Sequence, residues 1–273
     1  MIPVGFDYER VDSADAALAL LAQHGDDAKL LAGGHSLLPL MKLRFATPSV
    51  LIDVGRVKEL SYVREAGDQI AIGALTRHHD VQHSDLLKAQ VEILAHAAGQ
   101  VGDQQVRHRG TIGGSIAHGD PASDLPAVIL ALGATLVIRG QGGEREVAAS
   151  DFFTGFLETA LGPDELLTEI RVPKVPGAGW SFQKLTKRAQ DWAIVGAAVV
   201  RNGTTGIGLV NMGATPIRAS AAEAALAGGA SVADAAAVAD QGTSPSPDIN
   251  ASEEFRRHLA RVLVRRGLEE ATK

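Results

Sequence analysis

Two short segments hold the densest chemistry in the chain. Ala32-Gly33-Gly34-His35-Ser36-Leu37 and Thr111-Ile112-Gly113-Gly114-Ser115 each join a glycine pair to hydroxyl residues. In the first, an apolar run from Leu30 ends directly on the glycines. The backbone can turn sharply there, and a ligand can approach bare main chain. His35 and Ser36 add side-chain donors, and successive N–H groups in such a turn form a nest for an anion. Lys29 precedes the first segment, and Arg107 and Arg109 precede the second. Two such cradles suit the two phosphates of a pyrophosphate. Read as plain turns, the same residues need no ligand. Alone, they do not choose between ATP, NAD and FAD.

The remaining motifs narrow the choice. No Gly-x-x-x-x-Gly-Lys-Ser/Thr is present, so this is not a P-loop chain. Gly206-Ile207-Gly208-Leu209-Val210-Asn211 approaches the dinucleotide fingerprint but ends on Asn211 and reads as a strand, so a Rossmann domain is not supported. Gly34-His35-Ser36-Leu37-Leu38 lacks the final glycine of a nucleophile elbow. His78, His79, His96, His108 and His118 have no metal-ligand spacing on one helix face and read as solvated or locally bonded. Asp124 reads as a helix cap that can also bond a ligand hydroxyl. Trp192 reads either as core or as a wall for a flat ring. Lys184 reads as a counter-charge for an anionic ring or as a snorkelling side chain.

Composition excludes several classes. The 273 residues leave room for two or three domains. A net charge of -6 and 4% aromatics argue against nucleic-acid binding. Cysteine is absent, so this chain holds no disulfide, thiolate zinc site, iron–sulfur cluster or cysteine nucleophile. No basic-then-apolar leader is visible. The longest nearly uncharged apolar stretch, Leu125–Ile138, is broken by Pro126 and Gly133 and is shorter than the ~20 residues that span a bilayer. The expectation is a soluble, cytoplasmic protein without a transmembrane segment.

The elements that must position these residues follow from periodicity. Ser13 caps a helix to about Gln23, with Leu18, Leu21 and Ala22 inward. Lys29–Ala32 and Val50–Val54 are buried strands, with a helical turn from Leu37 to Phe45 between them. A hairpin, Leu60–Arg64 with Gln69–Ala74, comes next. Thr76 caps a helix to His83, and a longer helix covers Leu86–Ala98. Asp124 opens a helix to Leu132. Thr135–Arg139 and Arg145–Val147 form a second hairpin, and Leu166–Val172 is a strand. Pro173–Gly179 is the linker. Beyond it, Trp180–Leu185, Ala193–Arg201 and Gly206–Met212 form an antiparallel meander. Helices close the chain at Ala219–Ala227, Val232–Ala239 and from Ser252. The last bears Phe255, Leu259, Val262 and Leu263 as its apolar stripe, with Arg256 and Arg257 off it.

The whole pattern carries a resemblance. Ala32 through Pro39 resembles the first flavin-binding motif of the medium subunits of molybdenum hydroxylases, of the aerobic carbon monoxide dehydrogenase and xanthine dehydrogenase type. Gln105-Val106-Arg107-His108-Arg109-Gly110 through Ser115, continuing to Asp120-Pro121-Ala122-Ser123-Asp124-Leu125-Pro126, is similar to the second. Gly213-Ala214-Thr215-Pro216-Ile217-Arg218-Ala219 resembles the segment that leads into the family's C-terminal helices. Ser115 and His108 stand where Asn is common, which implies altered contacts rather than lost binding.

The resemblance implies an α+β fold. A PCMH-type, vanillyl-alcohol-oxidase-like FAD-binding domain would cover 1–176, as subdomains 1–56 and 57–176. A C-terminal medium-subunit domain of a three-stranded antiparallel sheet and a helical bundle would cover 177–273. It places Lys29, Ala32–Leu37 and Thr111–Ser115 on the pyrophosphate and neighbouring parts of FAD. Asp124 would meet a cofactor hydroxyl, and Leu167, Lys184 and Trp192 would lie near the isoalloxazine. It further implies an electron-transfer subunit with no catalytic acid–base pair and no metal of its own. Its partners would be a large molybdopterin subunit and a small subunit with two [2Fe–2S] clusters, as a dimer of heterotrimers. A stand-alone flavin oxidase of the same fold, or a non-catalytic cofactor-holding interaction subunit, are the alternatives.

Overall fold

Three main sheets divide the chain into three lobes in the computed structural model, which describes residues 1–272. The first lobe contains β1 (Asp7–Arg10), α1 (Ala14–His24), β2 (Ala28–Leu31), α2 (Leu37–Leu43) and β3 (Val50–Asp53). Its strands are parallel, in the order β1-β3-β2. Ser13 Oγ accepts from the Ala16 N–H at 3.2 Å and caps α1 as expected. Ala14, Ala17, Leu18 and Leu21 form the buried stripe. Ala22, expected inward, lies at the edge of that stripe and is exposed.

The second lobe opens with the hairpin β4 (Val63–Ala66) and β5 (Gln69–Gly73). Short helices follow: α3 (His78–His83), α4 (Asp85–Gln90), α5 (Glu92–Gly99), α6 (Gln104–Arg109), α7 (Ile112–His118) and α8 (Asp124–Leu132). Then come β6 (Thr135–Gly140), β7 (Gly143–Ala148), α9 (Ala149–Phe152), the small pair β8 (Phe153–Gly155) and β9 (Glu158–Thr159), and β10 (Leu166–Pro173). The sheet runs β4-β5-β10-β6-β7, antiparallel throughout. Two sequence expectations change here. The single helix over 86–98 breaks at Val91 (φ -149°, ψ 57°), whose side chain is fully buried, so tertiary packing overrides the helical period. Thr76 does not cap α3. Its hydroxyl accepts from the Tyr62 N–H at 3.1 Å and pairs with the Tyr62 carbonyl at 3.0 Å, tying α3 to the first hairpin.

The third lobe is a sheet of β11 (Gly179–Leu185), β12 (Val195–Asn202), β13 (Thr204–Val210) and the two-residue β14 (Ile217–Arg218), which extends the expected meander by a fourth strand. Helices α10 (Ser220–Ala227), α11 (Val232–Ala237) and α12 (Glu253–Glu270) share one apolar cluster with this sheet. From the other side comes α8, buried along its whole length and packed into the same cluster as β12, β13 and the second sheet. Gly206 and Gly208 of β13 face the backbone of Ala131 and Ala127, so that any Cβ would run into those two carbonyls. The glycines that imitate a nucleotide fingerprint therefore serve helix-on-sheet contact.

Helix α12 is capped by Ser252, whose Oγ accepts from the Phe255 N–H at 3.2 Å. Its buried stripe runs through Arg256, Leu259, Ala260, Leu263 and Val264, while Phe255 is 44% exposed. Leu259 and Leu263 are inward as expected, whereas Phe255 turns outward, Val262 is half-buried and Arg256 joins the buried face. Arg256 can sit inside because its guanidinium is bonded to the Ile194 carbonyl and to Asp248. Among the described residues, no helix is long and apolar enough to cross a membrane.

Candidate functional site

A cleft of about 810 Å³ receives residues from all three lobes. The β2–α2 turn contributes Ala32 through Leu37, with Lys29 beside it. The start of α7 contributes Thr111, Gly113, Gly114 and Ser115. Asp124, Leu167, Lys184 and Trp192 complete the set named from sequence. Ile112 is the exception: its side chain is fully buried in the core and does not line the cleft.

The two glycine segments touch each other. A Cβ on Gly33 would lie 2.5 Å from the Arg109 carbonyl oxygen and 2.7 Å from Gly110 Cα. The start of α3 braces this junction. Arg77 donates to the Arg109 carbonyl, and the His78 N–H donates to the Gly110 carbonyl at 3.0 Å. Gly33 and Gly110, 77 residues apart in sequence, are thereby fixed on one surface.

Their backbones do different work. Gly34 has φ +78°, a left-handed turn that suits glycine. The N–H groups of Gly33, Gly34, His35 and Ser36 have no acceptor among the described residues. The second segment is not a loop but a helix start. Ile112 and Gly113 donate to the Thr76 and Ala74 carbonyls at 3.0 and 2.8 Å, and Gly114 donates to Thr111 Oγ1 at 3.1 Å. Its amides are already bonded inside the protein. What it offers a ligand is the Thr111 and Ser115 hydroxyls and a surface without side chains.

Asp124 is the first residue of α8 rather than its cap; Ser123 holds the cap position and makes no side-chain bond there. Lys184 Nζ lies 2.7 Å from Asp124 Oδ2, both side chains buried, and also donates to the Gln100 carbonyl at 3.1 Å. Lys184 therefore does not snorkel. Burial pushes the Asp124 carboxyl up to about 6, against the opposing pull of Lys184. Its second oxygen, Oδ1, is buried without any partner.

Sequence reasoning missed His78, which was placed among solvated histidines. It is buried against Gly110, its Nδ1 has no partner, and burial holds its pKa down to about 4, with Arg77 adding to the effect. It is neutral at pH 7. The available signal was its i, i+3 pairing with Val81 on the buried face of α3. Among the described residues, three buried side-chain atoms lack a partner, on His78, Asp124 and Arg256, and the first two residues line this cleft. Trp192 is 58% exposed, which removes the core-packing reading, and it enters the cleft with Gln190 and Asp191 on the β11–β12 connection. The β8–β9 tip was also missed. Leu157, with φ +58°, lines the cleft from a bend that has no glycine or proline signal at that position. Among the described residues, no group of three His, Cys, Asp or Glu is placed to hold a metal.

Comparison with known proteins places this geometry. Residues 4–175 match the family described as the FAD binding domain in molybdopterin dehydrogenase, and 180–271 match the CO dehydrogenase flavoprotein C-terminal domain. The chain is 43% identical to the carbon monoxide dehydrogenase medium chain of Hydrogenophaga pseudoflava, over 99% of this chain and 98% of that one. It is 39% identical to the 6-hydroxypseudooxynicotine dehydrogenase complex subunit alpha of Paenarthrobacter nicotinovorans, over 99% and 96%. A solved carbon monoxide dehydrogenase from Hydrogenophaga pseudoflava that lacks the Mo-pyranopterin moiety contains a chain that superposes with a TM-score of 0.96 at 46% identity, covering 100% of this chain and 99% of that one. An oxidoreductase fold, a cleft built from both glycine segments and matches across both halves converge: the chain belongs to the family of FAD-binding medium subunits of molybdopterin dehydrogenases.

Proposed function

We propose that this chain holds FAD in the 810 Å³ cleft and relays electrons from iron–sulfur clusters on a small partner subunit to an external acceptor. The observation that carries the reading is the cleft itself. It brings together a turn with four unbonded amides, a side-chain-free helix start and a buried carboxylate oxygen without a partner. The fit is chemical: a dinucleotide presents both phosphate oxygens and hydroxyl donors.

The division of roles follows from the bonds already made. The Gly33–Ser36 amides meet pyrophosphate oxygens, with Lys29 adding positive charge. Thr111 and Ser115 add hydroxyls, and the contact between Gly33 and Gly110 keeps the two segments at fixed spacing. Asp124 Oδ1 accepts from a cofactor hydroxyl while Lys184 balances the charge on Oδ2. Leu167 and Trp192 supply apolar and aromatic wall for the ring. His78, neutral and buried, neither attracts nor repels an anion strongly. Bound FAD supplies a carrier that accepts and releases one or two electrons. The chain's own residues orient it, and their dipoles tune its potential.

The missing cysteines support a multi-subunit arrangement, because the clusters must then lie on another chain. A large molybdopterin subunit and a small iron–sulfur subunit, in a dimer of heterotrimers, complete the proposed assembly, and the boundary between this chain's two domains is proposed at 176/177. The test is direct. The purified chain is incubated with FAD and desalted. Retained absorbance at about 450 nm supports the reading, and a colourless chain overturns it. Turnover of a small alcohol by the isolated flavoprotein would instead establish a stand-alone oxidase.

A further inference from the structure

The β11–β12 connection bears Trp192 into the cleft, and the two carbonyls that follow it are both held by side chains from elsewhere. Asn211 Nδ2 donates to the Ala193 carbonyl at 2.9 Å and reaches the Ile194 carbonyl at 3.4 Å. Arg256 donates to the Ile194 carbonyl from α12. Each anchor is itself fixed. Asn211 has φ +61°, a conformation Asn tolerates well, and its N–H donates to the Pro121 carbonyl at 2.7 Å, three residues before Asp124. Arg256 is 2% exposed and pairs with Asp248 Oδ2 at 2.7 Å. The Asp248 carboxylate in turn accepts from the Asn250 and Ala251 N–H groups at 2.8 and 3.0 Å.

A surface connection does not need this much. Its ends already close through the Ile194 N–H, which donates to the Leu185 carbonyl at 2.8 Å. Placing a guanidinium inside an apolar stripe carries a desolvation cost that a simple turn would not justify. The two anchors act on one place, the peptide units directly after Trp192. One of them is tied to the segment that leads into Asp124. The wall of the cleft and its buried carboxylate are thus set on a common frame.

We propose that Asn211 and Arg256 are positioning residues that lock the Trp192 segment as a wall of the flavin cleft. They fix how much of the ring meets solvent and acceptor. The assignment of a flavin ring to this wall rests on the proposed function, but the lock itself is a property of the chain alone.

The experiment separates the two. Trp180, bonded to Glu92 and outside the cleft, is replaced in a Trp180→Phe background, which leaves Trp192 as the only tryptophan. In that background Asn211→Gly keeps the left-handed backbone accessible and removes only the side-chain anchor, while Arg256→Lys keeps a charge and shortens the reach. Amide hydrogen exchange over 188–194 is read first, without FAD. The lock predicts exchange at least about tenfold faster in Asn211→Gly, with the β12 and β13 amides unchanged. Trp192 emission is read next, with FAD retained at one per chain. The parent should be quenched on loading, Asn211→Gly should lose about half of that quenching, and Arg256→Lys should fall between the two. Unchanged exchange in both variants overturns the lock whatever FAD does. Faster exchange with no quenching in the parent keeps the lock and removes Trp192 from the ring. Failure of the parent to retain FAD overturns the flavin reading and leaves the exchange result standing.

Discussion

Lys184 and Asp124 form a buried ion pair at 2.7 Å that joins β11 to the first turn of α8. Removing one partner leaves the other charge uncompensated. Lys184→Met should therefore destabilise the chain by about 3–5 kcal/mol at pH 7.5, read from urea midpoints. The loss should shrink at pH 5, where Asp124 is already protonated. The double variant Lys184→Met/Asp124→Asn should recover part of the loss, because it leaves no buried charge.

Asp124 and His78 impose opposite pH dependences on the same cleft. Burial lifts the Asp124 carboxyl in the folded chain to about 6, above its ordinary value of 3.8. Its contribution is fully present below about pH 4 and is lost as the pH rises through 6. Burial holds the His78 imidazole in the folded chain at about 4, below its ordinary value of 6.5. Its contribution is present above pH 6.5 and is lost as the pH falls towards 4. Between pH 4 and 6 the two oppose. Asp124→Asn should make stability fall more steeply with acid than in the parent, and His78→Gln should make it fall less steeply. Unfolding midpoints at half-unit pH steps check both signs.

Flavin retention should show the Asp124 titration. A hydroxyl donated to Oδ1 favours the carboxylate, so FAD binding pulls a proton off a group that holds one near pH 5. Affinity should weaken by about tenfold between pH 7 and pH 5, and Asp124→Asn should flatten the profile while binding less tightly at pH 7. Equilibrium titration of flavin fluorescence measures it.

The junction of the two glycine segments gives a steric prediction. Gly33→Val places side-chain atoms where the Arg109 carbonyl and Gly110 stand, so the segments must separate. FAD affinity should fall at least about a hundredfold, roughly the loss of two or more charge-assisted hydrogen bonds. Gly34→Val should weaken binding as well, through its +78° φ. Desalting followed by the flavin spectrum distinguishes retention from loss.

Much of this site is legible without coordinates, and what is not has definite causes. The glycine–hydroxyl segments announce themselves because short-range chemistry is concentrated in a few consecutive residues. The Ser13 cap, at 3.2 Å, is a local bond within four residues and is read correctly, as is the start of the last helix at Ser252. Asp124 is misread as a cap because its real partner, Lys184, lies 60 residues away. Arg256 reads as lying off the apolar stripe of α12 for the same reason: its acceptors are Ile194 and Asp248, and nothing in the helical period marks them. Val91 breaks a helix without glycine or proline because burial of its side chain outweighs local preference. The bonded amides of Ile112 and Gly113 are invisible in sequence, since Thr76 and Ala74 supply the acceptors from another element.

The close seat of α8 on β13, made possible by Gly206 and Gly208, has a consequence for how the chain is made. The helix leaves the ribosome well before the sheet that covers it. At ordinary elongation rates the 78 residues from Leu132 to the end of β13 at Val210 take roughly 4 to 16 s to appear. Through that interval an entirely apolar helix face has no cover. Burial of α8 is therefore timed by the synthesis of β12 and β13, and a nascent chain stalled before them leaves that helix face bare.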